Sequence, residues 1–148
     1  MIQKKKILDW FTEICQGTPV EAEGDGLEWL IHGKFGEMGI AVLNPISKSY
    51  MQIQRSIAID PEHQAIIGNK SQERQLEFIY SLKRDLILIG VRWQLLFTDE
   101  TETSISEVRL SDRVYEDAIT RDLFNKSIQK IHDASVLFVM SVRHMVAE

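Results

Sequence analysis

Four histidines, His32, His63, His132 and His144, are the first residues to weigh for chemistry. A zinc site on one helix uses His-x-x-x-His spacing, which puts both imidazoles on one face. No two of these four have that spacing. His132 and Asp133 are adjacent, so on a helix they point about 100° apart. Cys15 falls near the end of the first expected helix, at the negative pole of its dipole. That position raises a thiol pKa, the opposite of what a nucleophile needs. Two carboxylate clusters, Glu21, Glu23, Asp25 and Asp99, Glu100, Glu102, fall in stretches expected to be loops. A calcium loop reads Asp-x-Asp-x-Asp-Gly with a distant Glu. Glu21-Ala22-Glu23-Gly24-Asp25-Gly26 matches it only loosely. Gly33, Gly36 and Gly39 join two strands, whereas a phosphate-binding loop leads from a strand into a helix. Arg92, Trp93 and Phe97 could stack on bases. Trp93, Leu95 and Phe97 share strand parity, however, and so are expected to face the core. The expectation is no catalytic set, no metal and no cofactor.

Length and composition bound the rest. The chain has 148 residues, 44% hydrophobic and 26% charged. Those are ordinary values for one globular domain, so a single domain over 1–148 is expected, with no disulfide or metal staple. Net charge is −5, with Lys4-Lys5-Lys6 as its basic cluster. An acidic balance speaks against nucleic acid, whose phosphates demand a basic excess. Asp9 and Glu13 interrupt the apolar run after the lysines too early for a signal peptide. No apolar run is long enough to span a bilayer. A lone cysteine implies no oxidising compartment, so a cytoplasmic protein with no membrane association is expected.

Ile7, Trp10, Phe11 and Ile14 lie on one helical face, and Gly17-Thr18-Pro19 stops that helix near residue 16. Leu27–His32, Ile40–Leu43 and Met51–Ile57 read as strands, with a turn over Gly33–Gly39. Asp60-Pro61 opens a short helix that Gly68 closes, the Asp60 carboxylate capping it. Ser71 caps the next helix and Gly90 ends it. Leu76, Ile79, Tyr80, Lys83, Leu86 and Ile87 form its expected inner stripe. Val91–Thr98 and Ser104–Leu110 make a hairpin. Residues 112–146 contain no Gly or Pro, and one helix of that length would reach ~50 Å. The apolar stripe changes side within it. A break near Asp117–Thr120 is therefore expected, with Thr120 capping a final helix over about 121–146. Helices grouped on an antiparallel sheet give an α+β fold, in the order α-β-β-β-α-β-β-α.

This element order resembles the fold of type III secretion chaperones. Tyr115-Glu116-Asp117-Ala118-Ile119-Thr120-Arg121-Asp122-Leu123-Phe124 is similar to a Tyr-x-Asp-Gly-Leu-Thr-x-Asp-x-Phe stretch in an uncharacterised, mainly archaeal family. The Pro61-Glu62-His63 turn and the Glu77-Phe78 helix resemble that family too. Ala118 and Ile119 replace Gly and Leu of the pattern. Alanine is costly at positive φ, so the substitution speaks against a left-handed turn at 118. The resemblance implies a fold and a homodimer, and no activity. The chaperone relatives bind extended segments of partner proteins.

Apolar surplus supplies the functional expectation. Phe124, Ile128, Ile131, Phe138, Val142 and Met145 make the inner stripe of the final helix. Val136, Leu137 and Met140 fall on the opposite arc, and Phe78 and Leu82 fall off the stripe of the preceding long helix. These five are the interface candidates of a dimeric protein-interaction module, non-enzymatic and chaperone-like, that holds a protein partner. The alternative is an enzyme or small-ligand-binding domain whose polar site is assembled from scattered residues.

Overall fold

The computed structural model describes residues 2–148. Its elements are α1 (Lys4–Ile14), β1 (Val20–Ala22), β2 (Leu27–Phe35), β3 (Met38–Pro45), β4 (Tyr50–Ala58), α2 (Pro61–Gly68), α3 (Gln72–Ile89), β5 (Arg92–Phe97), β6 (Ile105–Tyr115) and α4 (Arg121–Ala147). A 3-10 turn, Glu116–Ala118, precedes α4. The six strands form one sheet in the order β1-β2-β3-β4-β6-β5. The α+β class and the meander of β2, β3 and β4 follow the hydrophobic patterning.

Three boundaries differ from the sequence expectation. β1 is a short strand that pairs Val20 with His32 and Ala22 with Leu30, so Glu21 is not in a loop. The β2–β3 turn is shorter than Gly33–Gly39. Gly33 pairs with Ile40 and Lys34 with Gly39, which leaves Gly36 and Glu37 as a two-residue turn. Both have positive φ, 56° and 70°, as a tight turn matched to strand twist requires. Finally, β6 runs on to Tyr115, five residues past the expected end at Leu110. Glu116 N–H donates to Ser49 C=O at 2.7 Å, and Arg113 Nε donates to Gln52 Oε1 at 3.4 Å, so β4 supplies the partners a helix would have supplied internally. The break before α4 is where Thr120 places it. Leu123 N–H donates to Thr120 Oγ1 at 3.1 Å. Ala118 sits in the 3-10 turn and is not among the residues with positive φ, which are Glu37, Ser47 and Glu102 besides four glycines.

The chain divides into two compact units. Unit 1 comprises Met1–Arg55 and Ser111–His132, and unit 2 comprises Ser56–Leu110 and Asp133–Glu148. In unit 1, α1 lies on β2. Phe11 and Trp10 meet Phe124 with ring centroids 5.9 and 6.1 Å apart. Gly33 permits this approach: a Cβ there would stand 2.6 Å from Cys15 Sγ and 2.7 Å from Phe11 Cζ. Ile7, Phe11, Ile31, Val42, Ile53 and Phe124 form the buried centre of this unit. In unit 2, Ser71 accepts from Arg74 N–H at 3.1 Å and caps α3, and Gly90 ends it at φ 88°. Phe78, Leu82, Leu86, Val108, Phe138 and Met145 are buried there. Asp60 stands at the N-cap of α2, but its carboxylate makes no capping bond, contrary to expectation.

Candidate functional site

The side chains singled out for chemistry stay apart or serve the fold. His32 is exposed on β2. His132 stands edge-on to Phe35, centroids 5.3 Å apart, with Nε2 3.0 Å from where a Cβ on Gly36 would lie. His144 Nε2 is 3.7 Å from Glu148 Oε1. Cys15 is half-buried, and burial pushes its thiol up to about 11 while the Lys34 backbone bond pulls slightly the other way. That keeps it protonated at neutral pH. Glu21 pairs with Lys4 at 2.6 Å. Asp99 is held at the β5–β6 hairpin tip by the hydroxyls of Thr101 and Thr103 and the N–H groups of Thr103 and Ser104. These bonds, Thr101's first, draw its carboxyl down to about 2. Among the described residues, no three His, Cys, Asp or Glu side chains are grouped to hold a metal ion. No helix among the described residues is long and apolar enough to cross a membrane.

The remaining signal is apolar surface, and here the structure redistributes the sequence candidates. Phe78 and Leu82 are buried, at 6% and 1% exposure, and so cannot face a partner. The inner stripe of α3 is Gln75, Phe78, Ile79, Leu82 and Leu86. Gln75 accounts for the difference from the expected stripe. A polar residue marks a wet face in any hydrophobicity pattern, yet this amide is buried and satisfied, donating to Lys70 C=O at 2.8 Å and Gly68 C=O at 3.3 Å. With Gln75 counted inside, α3 turns by roughly a quarter from its expected phase. Tyr80 and Ile87, expected inside, emerge at 67% and 63% exposure, with Leu88 at 77%.

On α4 the expected inner stripe is confirmed in full: Phe124, Ile128, Ile131, Phe138, Val142 and Met145 are all buried. Of the three residues opposite it, Met140 is 63% exposed, and Val136 and Leu137 are half-buried. Glu148 lies one residue past the end of α4. Glu148 accepts from Arg74 Nε at 2.7 Å and pairs with its Nη2, and Lys70 Nζ donates to Glu148 C=O at 2.8 Å. The outer surface of unit 2 thus carries Tyr80, Ile87, Leu88 and Met140. Sequence phase alone identified Met140.

The architecture is that of an α+β protein with one six-stranded sheet and helices α1, α2, α3 and α4. The chain belongs to the family described as an uncharacterized conserved protein (DUF2299), which it matches over residues 3–142. It is similar in structure to an uncharacterized protein from Methanothermobacter thermautotrophicus solved by crystallography. The TM-score is 0.85 at 22% identity, covering 97% of this chain and 98% of that one. At that identity the likeness concerns the fold. No curated protein is matched.

Proposed function

We propose that this chain is a non-enzymatic protein-interaction module that acts as a homodimer through the outer face of α3 and Met140 of α4. The observation that carries the reading is the exposure of Tyr80, Ile87, Leu88 and Met140, four large apolar side chains on one unit. Leaving each such side chain wet forgoes roughly 1.5–3 kcal/mol of burial. A second copy is the occupant favoured by charge. The first half of the α3 surface carries Glu73 and Glu77, and the second half carries Lys83 and Arg84. An antiparallel, two-fold pairing of α3 with itself sets acids against bases while closing Tyr80 and Ile87 together. A chaperone-like role in the cytoplasm, holding an extended partner segment, extends this reading by analogy with the fold its element order resembles.

Sedimentation velocity on the full chain at tens of micromolar tests it. The expected result is a dimer that Tyr80→Glu plus Ile87→Glu converts to monomer with an unchanged far-UV spectrum. Hot-spot losses of this kind weaken association by about 100-fold or more. A wild-type chain that is strictly monomeric at that concentration overturns the proposal.

A further inference from the structure

Unit 2 contains a cleft of about 180 Å3 between the end of β4, the start of α2 and the last turns of α4. Its apolar wall includes Ile57, Ile59, Phe138 and Val142, the last three buried. Three ionisable side chains, Asp60, His63 and Arg143, line the same cleft. Phase on α4 explains the convergence. Val139 and Arg143 sit one turn apart on α4, so the helix presents both to the cleft.

What distinguishes this cleft is that its charges are uncommitted. The Asp60 carboxylate makes no capping bond and no ion pair among the described residues. Arg143, exposed, has no carboxylate partner there either, while the neighbouring His144 and Arg74 are both held by Glu148. A cleft of unit 1 shows the contrast. It has about 250 Å3 and also collects cations, but there Lys126 pairs with Asp122 at 3.0 Å and Lys130 with Asp112 at 3.5 Å. Arg113 stacks over the Tyr50 ring, 4.4 Å from its centroid. That group is satisfied by its own chain.

Chemistry narrows the ligand of the unit 2 cleft. Its volume is below the roughly 300–1,000 Å3 of sites for drug-sized ligands, which suits a small molecule. Arg143 favours a carboxylate, and its planar guanidinium can hold one through two bonds. Asp60 repels a bare anion and favours a cation. A simple acid or a simple amine meets one favourable and one unfavourable charge, whereas a zwitterion meets two favourable ones. The wall of Ile57, Phe138 and Val142 excludes a charged side chain, which would be desolvated without a partner.

We propose that this cleft binds a free α-amino acid with an aliphatic side chain, its carboxylate on Arg143, its ammonium on Asp60 and its side chain against Phe138 and Val142. His63 supplies a further hydrogen-bonding edge to the polar end. The site is independent of the dimer face, because none of its lining residues is Tyr80, Ile87, Leu88 or Met140.

Isothermal titration calorimetry on the full chain at neutral pH, with L-leucine, L-valine and L-methionine as probes, tests the assignment. At least one of the three is expected to bind. 4-Methylvalerate, which lacks the amine, and isoamylamine, which lacks the carboxylate, are expected to bind at least tenfold more weakly, as is L-glutamate. Asp60→Asn and Arg143→Ala should each weaken binding of the best probe by about tenfold or more, while Lys126→Ala, in the unit 1 cleft, leaves it unchanged. Asp60→Asn removes charge at constant shape and disturbs no cap, so its fold is retained. Absence of binding by all three probes up to about 10 mM overturns the proposal, being weaker than any specific site of this kind. Equal affinity for 4-methylvalerate, or affinity unaffected by both substitutions, overturns it as well.

Discussion

Gly33 and Cys15 show how closely single residues are set. α1 approaches β2 at Gly33 because that position has no side chain, and Phe11 and Cys15 occupy the space. Gly33→Ala is expected to lower stability by about 1–3 kcal/mol in urea denaturation, since Phe11 is fully buried in the core and cannot move aside freely. The same burial governs Cys15. A pKa of about 11 leaves roughly one thiolate in a thousand at pH 8, against roughly one in ten for a thiol at its ordinary value near 9. Alkylation by iodoacetamide at pH 8 should therefore be about a hundredfold slower in the folded chain than in urea. The linkage sign follows from the raised value. The contribution is present below the unfolded pKa near 9 and is lost as pH rises towards 11. Residue-level reading of the sequence got the direction for Cys15 right but missed Gly33, because no pattern within β2 reports which helix will lie over it.

At the scale of elements, stop and start signals were the most legible feature. Ser71, Gly90 and Thr120 do what their residue types dictate, since caps depend on groups within three or four residues. Thr120→Ala should cost about 1 kcal/mol, measured by thermal or urea unfolding, because Leu123 N–H loses its acceptor. Gln75 is the opposite case. Its amide serves the carbonyls of the α2–α3 turn from inside the core, so its polarity misled the phase of α3. Gln75→Leu is expected to destabilise by about 1–3 kcal/mol despite the gain in hydrophobicity, since Lys70 C=O loses its donor. If the variant is more stable in urea, the bonds to Gly68 and Lys70 are not what holds this corner. Ser111–Tyr115 likewise escaped local reading. The strand pattern fades after Leu110, and pairing with β4 carries the strand on to Tyr115.

For the whole molecule, the acid side of the stability profile rests on carboxylates held below their ordinary range. Asp99 is drawn to about 2 by its hydroxyl and N–H donors, and Glu148 is lowered by Arg74. Depressed values stabilise the fold above the unfolded pKa near 4, and that contribution is lost as pH falls towards 2. The urea midpoint should therefore fall between about pH 4 and pH 2, and Asp99→Asn should flatten part of that fall. An unchanged slope in the variant would show that the hairpin tip plays no part.

The sequence by itself determined what is local or averaged. Hydrophobic period, caps and glycine stops gave the α+β class and most element boundaries. Tertiary structure alone decided which way α3 faces, that Phe78 and Leu82 lie inside while Tyr80 and Ile87 lie outside, and that Asp60, His63 and Arg143 share one cleft. The reason is physical. Side-chain burial and the meeting of residues eighty positions apart depend on contacts between elements, and no periodicity within an element encodes its neighbour.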